Sequence, residues 1–180
     1  VTDLIQGIIM SIALLGILVF GALVAGGFSM MLENAGTLPG YVSMTLTHNA
    51  VSGQAENYGF IAIISTMAWG LGYFGMPHIL LRFMAIRDEK KLVFSRRIAV
   101  TWVVISLSVA VLIGIVGQAL SANGAIAMLK GTASETILIR IAELLSREGV
   151  LYALAAGVFL SGVLAATMST SDSQLLVASS

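Results

Sequence analysis

The chain has 180 residues, of which 58% are hydrophobic and 10% charged, with no net formal charge and a mean hydropathy of +0.99. Soluble domains are about one-quarter charged, so much of this surface is made for lipid and not for water. Zero net charge gives the chain no overall attraction for nucleic acid, and the absence of cysteine excludes disulfides, thiol chemistry and thiolate metal sites.

Thr2-Asp3 leads directly into residues 4–32, which hold no Asp, Glu, Lys or Arg. The run predicts a membrane-crossing helix over about 4–25, with Asp3 as a first-turn carboxylate complementing the helix dipole. No basic stretch with a small-residue cleavage site marks it as a signal peptide. A first residue Val1, and an apolar segment still running at Ser180, read as an excerpt of a longer chain. The next segment, Gly26–Tyr58, carries the turn residues Gly36, Pro39 and Gly40, has no Lys or Arg, and shows little periodicity. Three further uncharged runs, at 57–81, 98–129 and 149–171, predict helices over about 59–84, 95–119 and 149–180. Each run exceeds the roughly 20 residues needed to cross a hydrocarbon core. Peptide groups in lipid must be satisfied within the chain, and runs this long and continuous do not suit barrel strands. The fold class is therefore all-α and integral to the membrane, with four crossing helices.

Arg82, Arg87, Lys90, Lys91, Arg96 and Arg97 cluster between the second and third helices. Basic connections stay cytoplasmic, so the chain starts inside and returns inside through its last helix. The connection 120–148 contains an amphipathic stretch, Ser134–Ser146. Ile137, Leu138, Ile141, Leu144 and Leu145 share one helical face, with Glu135, Arg140 and Glu143 opposite. Ser134 is a candidate N-cap. Such a helix either rests on the membrane surface or packs over an outer vestibule.

Two polar features interrupt these greasy helices. The run Trp69–His78 holds three glycines and Pro77, a poor helix for mid-membrane. Pro77 has no N–H, which predicts that the carbonyl of Tyr73 loses its helical partner. Trp69, Tyr73 and Pro77 fall on one stripe, and two aromatics with polar hydrogens beside a freed carbonyl suit a small amphipathic solute. The same run also fits a kinked helix packed closely on a neighbour. The second feature is Ala165–Ser173, dense in hydroxyls. Ser169 and Thr170 reach back toward the carbonyl of Ala166 and gather three oxygens on one face. A hard cation such as sodium prefers oxygen ligands, while Ser and Thr also serve as glue between helices.

Trp69–His78 followed by Arg82-Phe83-Met84-Ala85, Met168–Thr170 with Ser173–Val177, and Thr2-Asp3 with Gln6-Gly7 together resemble the sodium–solute symporter family, and within it the proline carriers. The resemblance runs in order through essentially the whole chain. It implies a LeuT-like transporter of two inverted five-helix repeats, with the four helices here as the fifth core helix and the sixth to eighth. It implies a secondary transporter and no enzyme, coupled to Na+ and importing L-proline across a bacterial inner membrane, with the rest of the same chain as partner. By position, Trp69, Tyr73 and Pro77 match substrate-pocket residues; Ala166 (through its carbonyl), Ser169 and Thr170 match sodium ligands; Asp3 matches an acidic residue of sodium coupling. Met76 departs from the family pattern, which has Gln there. Another small solute, or the transporter-like membrane domain of a sensor kinase, stands as the alternative.

Overall fold

The computed structural model describes residues 2–49, 52–84, 86 and 88–179, apart from the side chains at 2–4, 74, 78, 81–83, 89–90 and 177. The side chains of Asp3, His78, Arg82 and Lys90, and all of Arg87, therefore lie outside the described residues. Helices dominate, in the order α1 (Thr2–Val24), α2 (Phe28–Thr37), a hairpin of β1 (Leu46–His48) and β2 (Ala55–Asn57), α3 (Phe60–Phe74), α4 (Pro77–Met84), α5 (Glu89–Ala122), α6 (Ile137–Ser146) and α7 (Val150–Ala178). Among the described residues, three helices are long and apolar enough to cross a membrane, over Ile5–Val24, Lys91–Ala122 and Val150–Leu176. The stretch expected as a single helix over 59–84 is instead two, α3 and α4, with the interruption at Gly75-Met76. Helix α5 begins six residues earlier than expected, at Glu89 where residue 95 was predicted. Glu and Lys are good helix formers, and lipid is not needed to hold a water-facing first turn.

α1 ends in a Schellman motif. The amide of Gly27 donates to Ala22 O at 2.8 Å and that of Gly26 to Leu23 O at 3.2 Å. Gly26 has φ +96°, a left-handed conformation that side chains disfavour. The chain then reverses into α2, which packs on α5. Neither α2 nor the hairpin is visible in the sequence of the 26–58 connection. In the hairpin, Leu46 faces Asn57, Thr47 faces Glu56 and His48 faces Ala55. The ladder continues one step further, because Tyr58 N–H donates to Thr45 O at 2.9 Å.

The buried core lies toward the end that the charge pattern puts outside. Ile17 of α1, Met31 of α2, Val116 and Leu120 of α5, and Ile141 of α6 are its largest fully buried side chains. The amphipathic stretch thus packs on the bundle, against α1, α5 and α7. Ile141, Ala142 and Leu145 point inward, and Ile137, Leu138 and Leu144 support them. Its start differs from expectation. Ser134 does not cap it, since residues Gly131–Thr136 form a 3-10 turn in which Ser134 Oγ donates to Gly131 O at 2.6 Å. The hydroxyl is used inside that turn, and α6 begins at Ile137 without a side-chain cap. On the outer face of α6, Glu143 accepts from Arg147 at 2.6 Å and from Arg140 at 3.3 Å.

Close helix contact explains two glycines. A Cβ at Gly21 would sit 2.6 Å from Val116 Cγ1, and one at Gly117 would sit 2.5 Å from Ile137 Cδ1. Small residues let membrane helices approach where no hydrophobic force drives them together. Gly21→Val is expected to destabilise the full-length protein by about 1–3 kcal/mol through overpacking. Gly114→Ala, where a Cβ meets nothing within 4 Å, should not lower the melting point in detergent, since alanine is the better helix former by about 1 kcal/mol.

The α6 ion pairs give a pH test. The hydrogen bond from Arg147, then that from Arg140, holds the Glu143 carboxyl below its ordinary value of 4.5. A carboxyl depressed on folding stabilises above its unfolded pKa, and that contribution fades as pH falls through the lower folded value. The stability difference between wild type and Glu143→Gln is therefore expected at neutral pH and should shrink below pH 4.5. It should also be small and reduced by salt, because the pair is exposed. Thermal melts at several pH values check this, and a difference independent of pH contradicts it.

Candidate functional site

Away from the packed core, the other half of the bundle opens into a cleft between α1, α5 and α7. Its volume is about 610 Å³, within the 300–1,000 Å³ common for small-ligand sites. Helix α7 contributes Ala166, Ser169 and Thr170, α1 contributes Gln6 and Gly7, and α5 contributes Ser95 and Trp102. All three predicted cation-site residues therefore face one cavity.

The hydroxyls of α7 turn back onto its own carbonyls. Thr170 Oγ1 donates to Ala166 O at 3.1 Å, and Thr167 Oγ1 and Ser171 Oγ each donate four residues back at 3.0 Å. This arrangement meets the demand that polar groups on a membrane helix find partners. It also brings the Thr170 hydroxyl oxygen beside the Ala166 carbonyl oxygen, with lone pairs on both. The set is hard and uncharged, made of hydroxyl and carbonyl oxygen, and suits a monovalent hard cation better than a transition metal. Among the described residues, no group of three or more His, Cys, Asp or Glu is placed to hold a metal ion. Three oxygens are fewer than the six or more that a hard cation such as calcium takes, so water or another segment must complete such a site. Asp3 falls in the first turn of α1, three residues before Gln6, and its carboxylate lies outside the described side chains.

The α5 wall of the cleft was not recognised in the sequence. Ser95, Ile98, Ala99 and Trp102 all line it, and their spacing of three, four and seven is that of one helical face. The signal was present but resembled any lipid-facing stripe.

Trp69, Tyr73 and Pro77 are not part of that lining. They sit on α3 and at the start of α4, where α3 meets α4 and α4 touches α7. Trp69 is 74% exposed and Tyr73 47%. Their rings meet edge to face, 5.5 Å apart at 87°, a favoured aromatic geometry. The structure thus joins the two aromatics to each other but not to the hydroxyl cleft.

The interruption also differs in detail from expectation. The Tyr73 carbonyl is not left bare, because it accepts from the Met76 amide at 3.3 Å, and Gly72 O accepts from Gly75 at 3.2 Å. The last turn of α3 tightens to an i→i+3 pattern, a common way for a helix end to satisfy its carbonyls. Beyond it, Met76 O takes the amides of Ile79 and Leu80 at 3.0 and 3.1 Å and starts α4. Pro77 sits at the first helical position, where its missing N–H costs nothing.

Comparison with known proteins matches the sequence of the chain to named transporters. A sodium/proline symporter of Salmonella typhimurium is 40% identical over 180 residues, covering 99% of this chain and 33% of its own length. That of Escherichia coli K12 is 38% identical, with the same coverage. One from Staphylococcus aureus is 35% identical over 100% of this chain and 32% of its own. The chain spans about a third of the length of the curated relatives it matches. No solved structure matches it. The family model described as "Sodium:solute symporter family" matches residues 1–180, and the chain belongs to that family.

Proposed function

We propose that the chain is part of a sodium-coupled symporter that imports L-proline by alternating access across a bacterial inner membrane. The observation that carries the reading is the cleft in which Ala166, Ser169 and Thr170 face α1 and α5, in a chain of this family. The named activity of the relatives supports proline as cargo.

We read α3 and α4 as one interrupted crossing. Together they run from Phe60 to Met84, about 37 Å at 1.5 Å per residue, enough for a hydrocarbon core. That gives four crossings, in keeping with a LeuT-like inverted-repeat transporter whose other helices come from the rest of the chain. Broken helices near the midplane are where such carriers bind their cargo.

In this mechanism sodium is co-cargo. It binds to Ala166 O and the hydroxyls of Ser169 and Thr170, with further oxygens from elsewhere in the transporter. The solute lies against Trp69 and Tyr73 beside the interruption at Pro77. Asp3, at the inner start of α1, takes part in sodium coupling. Coupling requires that sodium prefer the conformation in which the solute site faces outward; a ligand without such a preference shifts nothing. As the bundle rocks, both cargoes reach the cytoplasm.

Met76 favours one variation. It replaces an amide by a polarisable apolar chain at the interruption, so another amino acid, an osmolyte or a small carboxylate is the competing cargo. In proteoliposomes holding the full-length protein, sodium-driven uptake of labelled proline is expected. Within a competition panel, unlabelled proline should inhibit at the lowest concentration. A different best competitor reassigns the cargo and leaves the coupling ion in place. Thr170→Val keeps the side-chain shape and removes the oxygen. It is expected to raise the sodium concentration for half-maximal uptake about tenfold or more. Unchanged sodium dependence in that variant overturns the ion assignment.

A further inference from the structure

The stripe that carries Trp69 and Tyr73 does not end at Trp69. Thr66 lies three residues before Trp69 and seven before Tyr73, on the same face of α3. Its hydroxyl lies 2.7 Å from Tyr58 Oη and donates to Ala62 O at 2.8 Å. A threonine hydroxyl has a single proton. Ala62 O is a carbonyl and accepts only, so the Thr66 proton is spent there. The Tyr58–Thr66 contact can then be a hydrogen bond in one sense alone, with Tyr58 O–H donating to Thr66 Oγ1. The phenol oxygen is left with lone pairs and no free proton, and becomes a pure acceptor.

The hairpin anchors the backbone that carries this oxygen. Tyr58 directly follows β2, and its backbone N–H is held by Thr45 O at 2.9 Å. The hairpin thus delivers an acceptor to the head of a face whose deeper groups, the Trp69 indole N–H and the Tyr73 hydroxyl, can donate. At 1.5 Å per residue, Thr66 stands about 4.5 Å along the helix from Trp69 and about 10 Å from Tyr73. Acceptor above and donors below match a zwitterion held with its ammonium toward the hairpin and its carboxylate toward the break.

We propose that Tyr58 is a specificity-determining residue that accepts a hydrogen bond from the ammonium of a zwitterionic amino acid, with Thr66 as the positioning residue that orients its proton away. This rests on the proposed solute face at Trp69 and Tyr73. The probe pair is L-proline and tetrahydrofuran-2-carboxylate, a near-isostere with ring oxygen in place of the ammonium. Affinities are read by competition in the full-length transporter. Tyr58→Phe is expected to weaken L-proline about tenfold or more, as for loss of a hydrogen bond to a charged group. It should change the isostere little, so that discrimination between the two falls by the same factor. Thr66→Val, which frees the tyrosine proton, should lower discrimination too, and Thr66→Ser should restore it. A merely structural role moves both ligands together and leaves the ratio fixed; that result, with proline binding still lost in Trp69→Ala, overturns the inference alone. Proline binding that survives Trp69→Ala overturns the solute face itself.

Discussion

A backbone polar group away from water must find its partner within the chain, and this requirement shapes several irregular features here. At the end of α1 it is met by the paired amides of Gly26 and Gly27 on Leu23 and Ala22. At the interruption between α3 and α4 it is met by a tightened turn that recovers the Tyr73 carbonyl, followed by a proline placed where no donor is needed. Along α7 the threonine and serine hydroxyls meet the same need for themselves, folded onto carbonyls three and four residues earlier. A carbonyl with one bond retains a lone pair, and a hydroxyl that has given its proton away still offers an acceptor. Groups that settle their own needs within the helix keep that acceptor without being left unpaired.

Packing is uneven along the bundle, and glycine marks where it is tightest. Gly21 against Val116 and Gly117 against Ile137 draw α1, α5 and the start of α6 together. The fully buried side chains collect around those contacts. At the other end, the polar Gln6, Ser95, Ser169 and Thr170 take the place of interlocking apolar side chains, and the cleft lies among them. A small residue at a contact brings helices close; a polar residue at an equivalent depth keeps a space that water can enter.

Much of this was legible in the sequence because it is local. Uncharged runs located α1, α5 and α7. The spacing of Ile137, Ile141 and Leu145 located the buried face of α6. Glycines and Pro77 located the interruption in the second run, and the i−4 rule located the bond from Thr170 to Ala166. What could not be read depends on partners distant in the chain. Helix α2 and the hairpin sit in a connection with no strong period, and their form is fixed by α5 and by pairing between strands. Ser134 has the chemistry of an N-cap, but it is recruited by Gly131 into a 3-10 turn instead. Ser95 and Trp102 looked like lipid-facing residues until α1 and α7 were set opposite them. The relation of Trp69 and Tyr73 to the hydroxyl cleft belongs to this class also, since it turns on how α3 docks and not on any spacing within it.

The glycine contacts have a mechanical consequence. Where two rods are clamped at one end, the clamp is the fulcrum, and displacement grows in proportion to distance from it. Gly21 and Val116 form such a clamp, about 22 Å along α1 from Gln6 at 1.5 Å per residue. A tilt of a few degrees there moves the far arms by about an ångström or more. The spacing across the cleft, from Gln6 and Ser95 on those arms to Ser169 and Thr170 of α7, would change with it.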